Sequence, residues 1–536
     1  MSTDTIAFVD SAPRRAVPLR EVAIWLHPDD DVAIMKAHVP AGTTISLQQQ
    51  AGPPAALAVR RLIPSGHKIA LREIAQDAPI RRYGQVIGFA TQPIAAGEHV
   101  HSHNLGVHDF ARDYAFGVDV RPVEYVPIEQ RRTFLGYQRA SGRVATRNYI
   151  AVIASVNCSA HTSREIAHAF TPERLAAYPN VDGVIALTHL SGCANRINGP
   201  DYVLLQRTLA GMARHPNIGA YIIVGLGCET NQIADMIQNY ELRASDEDGT
   251  ARTPPHLVIQ GEGGTRTTIA AGISAIDALL PLVNDVQRTP QPISELMLAL
   301  QCGGSDGWSG VTANPVLGMV VDQVVRQGGT AVLAETPEIY GAEHLLTRRA
   351  ISPEVGQKLV SQVGWWEAHA RRHGMEIDNN PSPGNKAGGL TTIYEKSLGA
   401  VAKGGTMPLM GVYDYAEQVT ARGFTFMDSP GYDPVSVTGQ VAGGCNLVLF
   451  TTGRGSVFGF KPAPSIKICT NSTTYAQMID DMDLNAGTIL EGVQMGEVAA
   501  ALLDLAVAVA SGQATKSEAQ GIGEAEFNPW NLGGTL

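Results

Sequence analysis

The sequence has no surplus of positive charge, few aromatic side chains and no long apolar run. Its 40 Lys and Arg face 51 Asp and Glu, a formal net charge of −11. That balance argues against a nucleic-acid or anionic-membrane surface, because both reward basic patches. No stretch reaches the roughly 18 apolar residues that span a bilayer. Met1 to Phe8 lack a basic start followed by an apolar core, so no signal peptide is expected. No Gly-Lys-Ser/Thr phosphate loop occurs, and no Gly-x-Gly-x-x-Gly with a matching downstream acid, so nucleotide binding has little support. Six cysteines in 536 residues, without disulfide-like crowding, suit a reducing cytoplasm.

What is present reads as a globular enzyme with many tight turns: 44% hydrophobic residues, 17% charged, 56 Gly and 31 Pro. The length is too great for one core and implies roughly two to four domains. From 19 to 110, short apolar segments such as Val32-Ala33-Ile34-Met35 alternate with turns such as Pro40-Ala41-Gly42 and Pro64-Ser65-Gly66. Close Gly/Pro punctuation of short strands predicts a small, mostly β domain. A linker follows over 111–132. Strand-like runs then alternate with helical patterns over 163–170, 202–214 and 267–282, which predicts parallel sheets covered by helices. The fold class expected is α/β, with two Rossmann-like blocks, 133–290 and 291–536.

Four cysteines each follow an apolar run and sit in Gly- or Ser-bearing sequence: Cys158, Cys193, Cys228 and Cys302. The first three are spaced 35 residues apart, a length suited to one strand, one helix and two short loops. In a parallel sheet the carboxyl ends of the strands share one edge, where ligands bind. The pattern predicts a thiol rim able to hold a soft metal or an iron–sulfur cluster. A cysteine serving as a small hydrophobe would lie inside its run. Cys445 and Cys469, beside or within single apolar runs, fit that description better.

Other candidates sit in polar loops. Gln301-Cys302-Gly303-Gly304-Ser305-Asp306-Gly307 combines backbone freedom with Ser305 and Asp306. Ser382-Pro383-Gly384-Asn385-Lys386 places one lysine among small residues, near a substrate carboxylate or as a base if desolvated. Thr452-Gly453-Arg454-Gly455 puts an arginine in a strand-end turn, suited to bidentate carboxylate binding. In the N-terminal domain His27, His67, His101 and His103 lie at turns or strand ends. His-x-His on a strand puts both rings on one face, which suits a metal or paired proton transfer.

These segments, with Gly66-His67-Lys68, Gly142-Arg143-Val144-Ala145-Thr146-Arg147-Asn148, Ser191-Gly192-Cys193 and Gly225-Leu226-Gly227-Cys228-Glu229, resemble the altronate dehydratase/galactarate dehydratase family over nearly the whole chain. Within it, His101-Ser102-His103-Asn104 and Pro337-Glu338-Ile339-Tyr340-Gly341-Ala342-Glu343 look more like the altronate branch. The resemblance implies an N-terminal SAF-type (β-clip) domain, and a hydro-lyase acting on a small anionic sugar acid to give a 2-keto-3-deoxy acid. It also implies iron, as Fe2+ or a cluster, with Cys158, Cys193, Cys228 and Cys302 as common features.

On this reading Arg454 and Lys386 hold the substrate carboxylate, with Asn385, Ser305, Asp306, His101 and His103 as further binding residues. His27 or His67 serves proton transfer, and Lys386, Asp306 and His189 are the reserve. A homo-oligomer is expected. Two rivals are a sulfolactate-type C–S lyase, with sulfite as leaving group, and a non-catalytic iron or redox sensor.

Overall fold

Alternating short strands and glycine turns build the N-terminal part. In the computed structural model, the structure describes residues 16–47, 55–108, 112, 114–245 and 251–533. The expectations for the first residues fall outside these, as do 48–54 and 109–110 of the first domain and 111 and 113 of the linker. Chain contacts divide the described residues into two units. The first joins those before Arg112 with Ser305–Gly307 and Asp378–Leu398.

Its strands form small sheets. Ala23–Ile24, Val32–Met35, Lys68–Ala70 and His99–Val100 pair antiparallel in that order. Leu105–Gly106, Gln85–Ala90 and Pro79–Arg82 form another antiparallel set. Ala33, Met35, Ile45, Ile63 and Ile69 fill the core between them. The turn glycine Gly97 has φ +82, and a Cβ there would lie 2.2 Å from the Ala58 carbonyl oxygen. Only glycine fits both demands.

The second unit is built on two all-parallel sheets. Strands β1 (Tyr149–Ala154), β2 (Gly183–Leu187), β3 (Ile218–Gly225) and β4 (His256–Val258) stand in the order β2-β1-β3-β4. Helices α1 (Ala160–His168), α2 (Pro200–Ala213) and α3 (Thr265–Asn284) cover it. Ile150 and Val152 pack with Ile166 and Ile276. Ala151 and Ile153 pack on the opposite face with Leu205 and Leu209. Burial on both faces explains why β1 is apolar without alternation.

The second sheet has seven strands: β5 (Met297–Cys302), β6 (Thr330–Leu333), β7 (Leu409–Tyr413), β8 (Gly423–Met427), β9 (Leu447–Thr452), β10 (Ser465–Cys469) and β11 (Leu484–Asn485). Their order is β7-β8-β6-β5-β9-β10-β11. The chain winds outward from β5 to one side, then returns to β9 on the other. The carboxyl ends of β5 and β9 therefore meet where the winding reverses, the usual ligand crevice of such sheets.

One expectation needs correcting. Thr265–Asn284 is long and apolar enough to cross a membrane by length and hydropathy, although no such stretch was expected. Its Thr268, Gly272, Ile276, Leu280 and Val283 are buried at helical spacing. A Cβ on Gly272 would lie 2.3 Å from Ile166 Cδ1. That buried stripe is what a core helix shows.

Candidate active site

At the reversal point of the seven-stranded sheet, Cys302 ends β5 opposite Thr451 of β9. A Cβ on Gly303 would lie 2.4 Å from Asp433 Oδ2 and 2.6 Å from Phe450 Cζ. Gly304, at φ +58, accepts hydrogen bonds at its carbonyl from the Gly453 and Arg454 amides at 3.1 and 2.7 Å. The two glycines thus let the loops after β5 and β9 touch backbone to backbone. Arg454 projects from this junction exposed.

Beside Cys302 lies a buried ionic group. Lys403 follows helix Ile393–Ala402 and donates from Nζ to Cys302 Sγ at 3.0 Å. The same ammonium is 3.9 Å from Glu335 Oε2. Cys302 Sγ reaches Glu338 Oε2 at 3.7 Å. Cys302 is 3% exposed, Glu335 0%, Glu338 3% and Lys403 0%, so water contributes almost nothing here. Burial works against the Lys403 charge, but Cys302, Glu335 and Glu338 outweigh it and raise its pKa. Glu335 holds φ 71 and ψ 70, a left-handed backbone unusual for a non-glycine residue. Such strain costs about 1–3 kcal/mol and clusters at functional sites. At the end of β8, burial raises the Asp428 carboxyl to about 6, against hydrogen bonds from Thr336 and Trp366.

The first unit carries a second constellation. His67 Nδ1 and His99 Nε2 share a hydrogen bond at 3.0 Å, and the His67 and His101 ring centroids are 4.7 Å apart. The ligand atoms of His67, His99 and His101 all lie within 4.8 Å of one another. Burial lowers His99 to about 3 and His101 to about 4, helped by neighbouring cations and rings. His67 is also lowered, chiefly by burial. The lowering favours the neutral ring, the form that offers lone pairs.

Next in sequence, Lys68 Nζ donates to both Glu395 oxygens at 2.9 Å and to the Gly389 carbonyl at 2.7 Å. Arg82 pairs with the same carboxylate and donates to the Gly307 carbonyl at 2.7 Å. Burial brings Lys68 down to about 8. Burial disfavours the Glu395 charge, but Lys68 and Arg82 overcome it and hold the carboxyl at about 2.

The predicted loop residues join this unit. Asn385 and Ser382 form a reciprocal cap on helix Pro383–Ala387, and Asn385 Nδ2 donates to the Ser305 carbonyl at 2.8 Å. Ser305 and Asp306 are buried. Lys386 is half-buried, next to Ala387, whose carbonyl lies 3.3 Å from His67 Nε2. His27 is exposed, bonded through Nδ1 and its amide to Asp29 and Asp30. His103 is exposed beside Arg61. His101 and His103 lie past strand His99–Val100, in a turn, so the predicted His-x-His face is made instead by His99 and His101.

The expected four-thiol rim divides between the two sheets. Cys158, Cys193 and Cys228 follow β1, β2 and β3 of the four-stranded sheet and are exposed. Cys302 is buried on the other sheet. Among the described residues, the two groups of three metal-capable side chains within 4.8 Å are His67/His99/His101 and Cys302/Glu335/Glu338. His189, held in reserve, is buried with Nε2 2.9 Å from the Ala154 carbonyl. Residues that sequence reasoning missed are Lys403, Glu335, His99, Lys68, Arg82 and Glu395. His99 was within reach, since His99-Val100-His101 has the same alternation as the pair that was chosen.

Three family models match in order: the altronate/galactarate dehydratase SAF domain over 21–108, the D-galactarate dehydratase/altronate hydrolase second domain over 136–284, and the D-galactarate/altronate dehydratase C-terminal region over 293–535. The chain is 36% identical to an altronate dehydratase of Escherichia coli, covering 92% of this chain and 96% of the relative. It is 35% identical to a galactarate dehydratase (L-threo-forming) of the same organism, over 94% and 96%. The beta subunit of a (2R)-sulfolactate sulfo-lyase from Chromohalobacter salexigens is 33% identical over 74% of this chain and 96% of that subunit. With a β-rich SAF domain ahead of parallel α/β sheets, the chain belongs to the altronate/galactarate dehydratase family of sugar-acid hydro-lyases.

Proposed function

We propose that this chain dehydrates a hexonate or hexarate, altronate-like in configuration, to a 2-keto-3-deoxy sugar acid. The observation that carries the reading is the buried Cys302–Lys403–Glu335–Glu338 group beside the Arg454 turn. Loss of water from such an acid begins at a C2 proton next to a carboxylate, which is weakly acidic. The resulting enediolate needs fixed positive charge in a dry site. Lys403, locked by three acidic neighbours, supplies that charge without reorganisation. Glu335 and Glu338 are the acceptors for the C2 proton. Arg454 is placed for bidentate binding of the substrate carboxylate. The carboxyl that takes up the C2 proton returns it to the C3 hydroxyl, which leaves as water, and the remaining enol tautomerises to the 2-keto acid.

Two donor sets are available for the metal, which we take to be iron. The histidine group fits it better. Three neutral imidazoles converge there, whereas Lys403 already donates to Cys302 and neighbours Glu335. His67, His99 and His101 would hold the iron, which would supply Lewis acidity there. The reading keeps the protein in the cytoplasm, where its six cysteines stay reduced.

The test is a panel of sugar acids with anaerobically purified, iron-loaded protein, scored for 2-keto acid. Turnover of altronate ahead of galactarate is expected. Turnover of neither acid overturns the reading, and sulfite release from sulfolactate alone assigns the chain to C–S cleavage instead.

A further inference from the structure

Three of the six cysteines are exposed, although cysteine is among the most buried residue types. Cys302, Cys445 and Cys469 follow the rule at 3%, 0% and 0% exposure. Cys158, Cys193 and Cys228 break it together, and they do so on one edge. Each follows the carboxyl end of one of three adjacent parallel strands, in the order β2-β1-β3.

The loops that carry them are fastened to each other. The Asn157 amide donates to the Ser191 carbonyl at 2.9 Å, and the Asn231 amide to the Gly192 carbonyl at 2.9 Å. Asn231 Nδ2 donates to the Ser155 carbonyl, and Ser155 Oγ to Glu229 Oε1, both at 2.8 Å. Gly192, at φ +102, lets its loop approach so closely that a Cβ would lie 2.6 Å from the Ser155 carbonyl oxygen. Ser155, Asn231 and Glu229 are buried, so a rigid polar frame lies under three solvent-facing thiols. Gln260 Nε2 stands 3.5 Å from Cys228 Sγ, an amide donor at the rim.

The three thiols do not converge on one point. Two thiolates on one ion, each at about 2.3 Å, lie no more than about 4.6 Å apart. Cys158, Cys193 and Cys228 are not among the groups whose ligand atoms all fall within 4.8 Å. A polynuclear cluster is wider and takes one thiolate per iron.

We propose that Cys158, Cys193 and Cys228 are the three thiolate ligands of an iron–sulfur cubane, leaving its fourth iron without a cysteine. Cys302 has no part in it, and no histidine of the other group is among its ligands. Ligation releases one proton from each thiol. The inference does not rest on the substrate proposed above, since cluster content and turnover are read independently.

The experiment uses the full chain purified anaerobically. Iron and acid-labile sulfide are measured, with the electron paramagnetic resonance signal after dithionite reduction. About four sulfides per chain are expected. Cys158→Ser, Cys193→Ser and Cys228→Ser each at least halve the sulfide, while Cys445→Ala and His99→Ala leave it unchanged. Because the three thiols are exposed, the serine variants should melt like the metal-free parent, which separates ligand loss from unfolding. Iron without labile sulfide overturns the proposal. So does sulfide that survives all three serine changes, or a disulfide joining two of these cysteines in the anaerobic protein.

Discussion

The two parallel sheets of the larger unit end their strands in opposite ways. The four-stranded sheet turns three cysteines outward over a hydrogen-bonded frame. The seven-stranded sheet draws Cys302 inward against an ammonium and two carboxylates, and Cys469 at the end of β10 is buried as well. Both use the same topological position, the carboxyl edge. What differs is water. On the exposed edge the thiols face water, with the Gln260 amide beside Cys228. On the buried edge each charge must be balanced by another, because an uncompensated ion there costs several kcal/mol. The first edge is suited to capturing a group from outside, the second to holding a fixed field for a reacting anion.

The sharpest way to break this comparison is to remove the buried cation. Lys403→Met leaves Glu335 and Glu338 without their common counter-charge. We expect turnover to fall by about 10²–10³-fold, the usual scale for losing one preorganised electrostatic group. The melting temperature should fall as well, since breaking a buried pair costs about 3–5 kcal/mol. Steady-state 2-keto acid formation, measured well below the melting point of the variant, checks the first effect. Lys403→Met turnover within a few-fold of the parent would remove the buried group from the chemistry. Cys302→Ser sharpens the same contrast: it should lower turnover and stability while labile sulfide stays at the parental value.

A second contrast lies within the smaller unit, between His67 and His27. His67 sits in the converging group and His27 is exposed, with its own bonds to Asp29 and Asp30. His67→Ala should weaken iron binding at least about 10–100-fold, the scale seen when even a supporting group of a metal ligand is removed. His27→Ala should change it little. Titration of the metal-free protein with Fe2+ under anaerobic conditions gives both numbers. Equal affinity in the two variants would separate the histidine group from metal binding.

How much of this was legible in the sequence depended on distance along the chain. Strand ends were readable, because an apolar run stopped by glycine marks a carboxyl edge, and so the thiols at 158, 193, 228 and 302 stood out. Which sheet each edge belonged to was not readable, since strand order is set by winding and not by spacing. That is why Cys302 was grouped with the other three. Lys403 lies at the end of an ordinary helical stretch, and nothing local marks it as the partner of a cysteine 101 residues away. Glu395 is similarly hidden, although it anchors Lys68 and Arg82, more than 300 residues earlier. Glu335 carried a faint signal, an acid directly after an apolar strand and two residues before Pro337. The helix at Thr265–Asn284 taught the reverse lesson, for its threonines and glycine concealed a hydropathy high enough for a membrane span.

The smallest expected effect is a pH dependence that separates two groups of the smaller unit. His99 and His101 have folded pKa values lowered to about 3 and 4, by burial first and then by nearby positive groups. Below the ordinary histidine value of about 6.5 the unfolded chain therefore takes up protons that the folded one refuses. Stability from this source is present above that value and is lost as pH falls toward 4. Glu395 is held at about 2, because Lys68 and Arg82 overcome the effect of burial. Its contribution is present above the ordinary carboxyl range and is lost later, as pH falls through about 4 toward 2. Chemical denaturation of the metal-free protein, followed from pH 7.5 to 3, should show two successive declines. His99→Gln should reduce the upper one and leave the lower in place, while Glu395→Gln should lower stability at neutral pH and flatten the acid limb. An upper decline of the same size in the His99→Gln protein would mean that some other group titrates there.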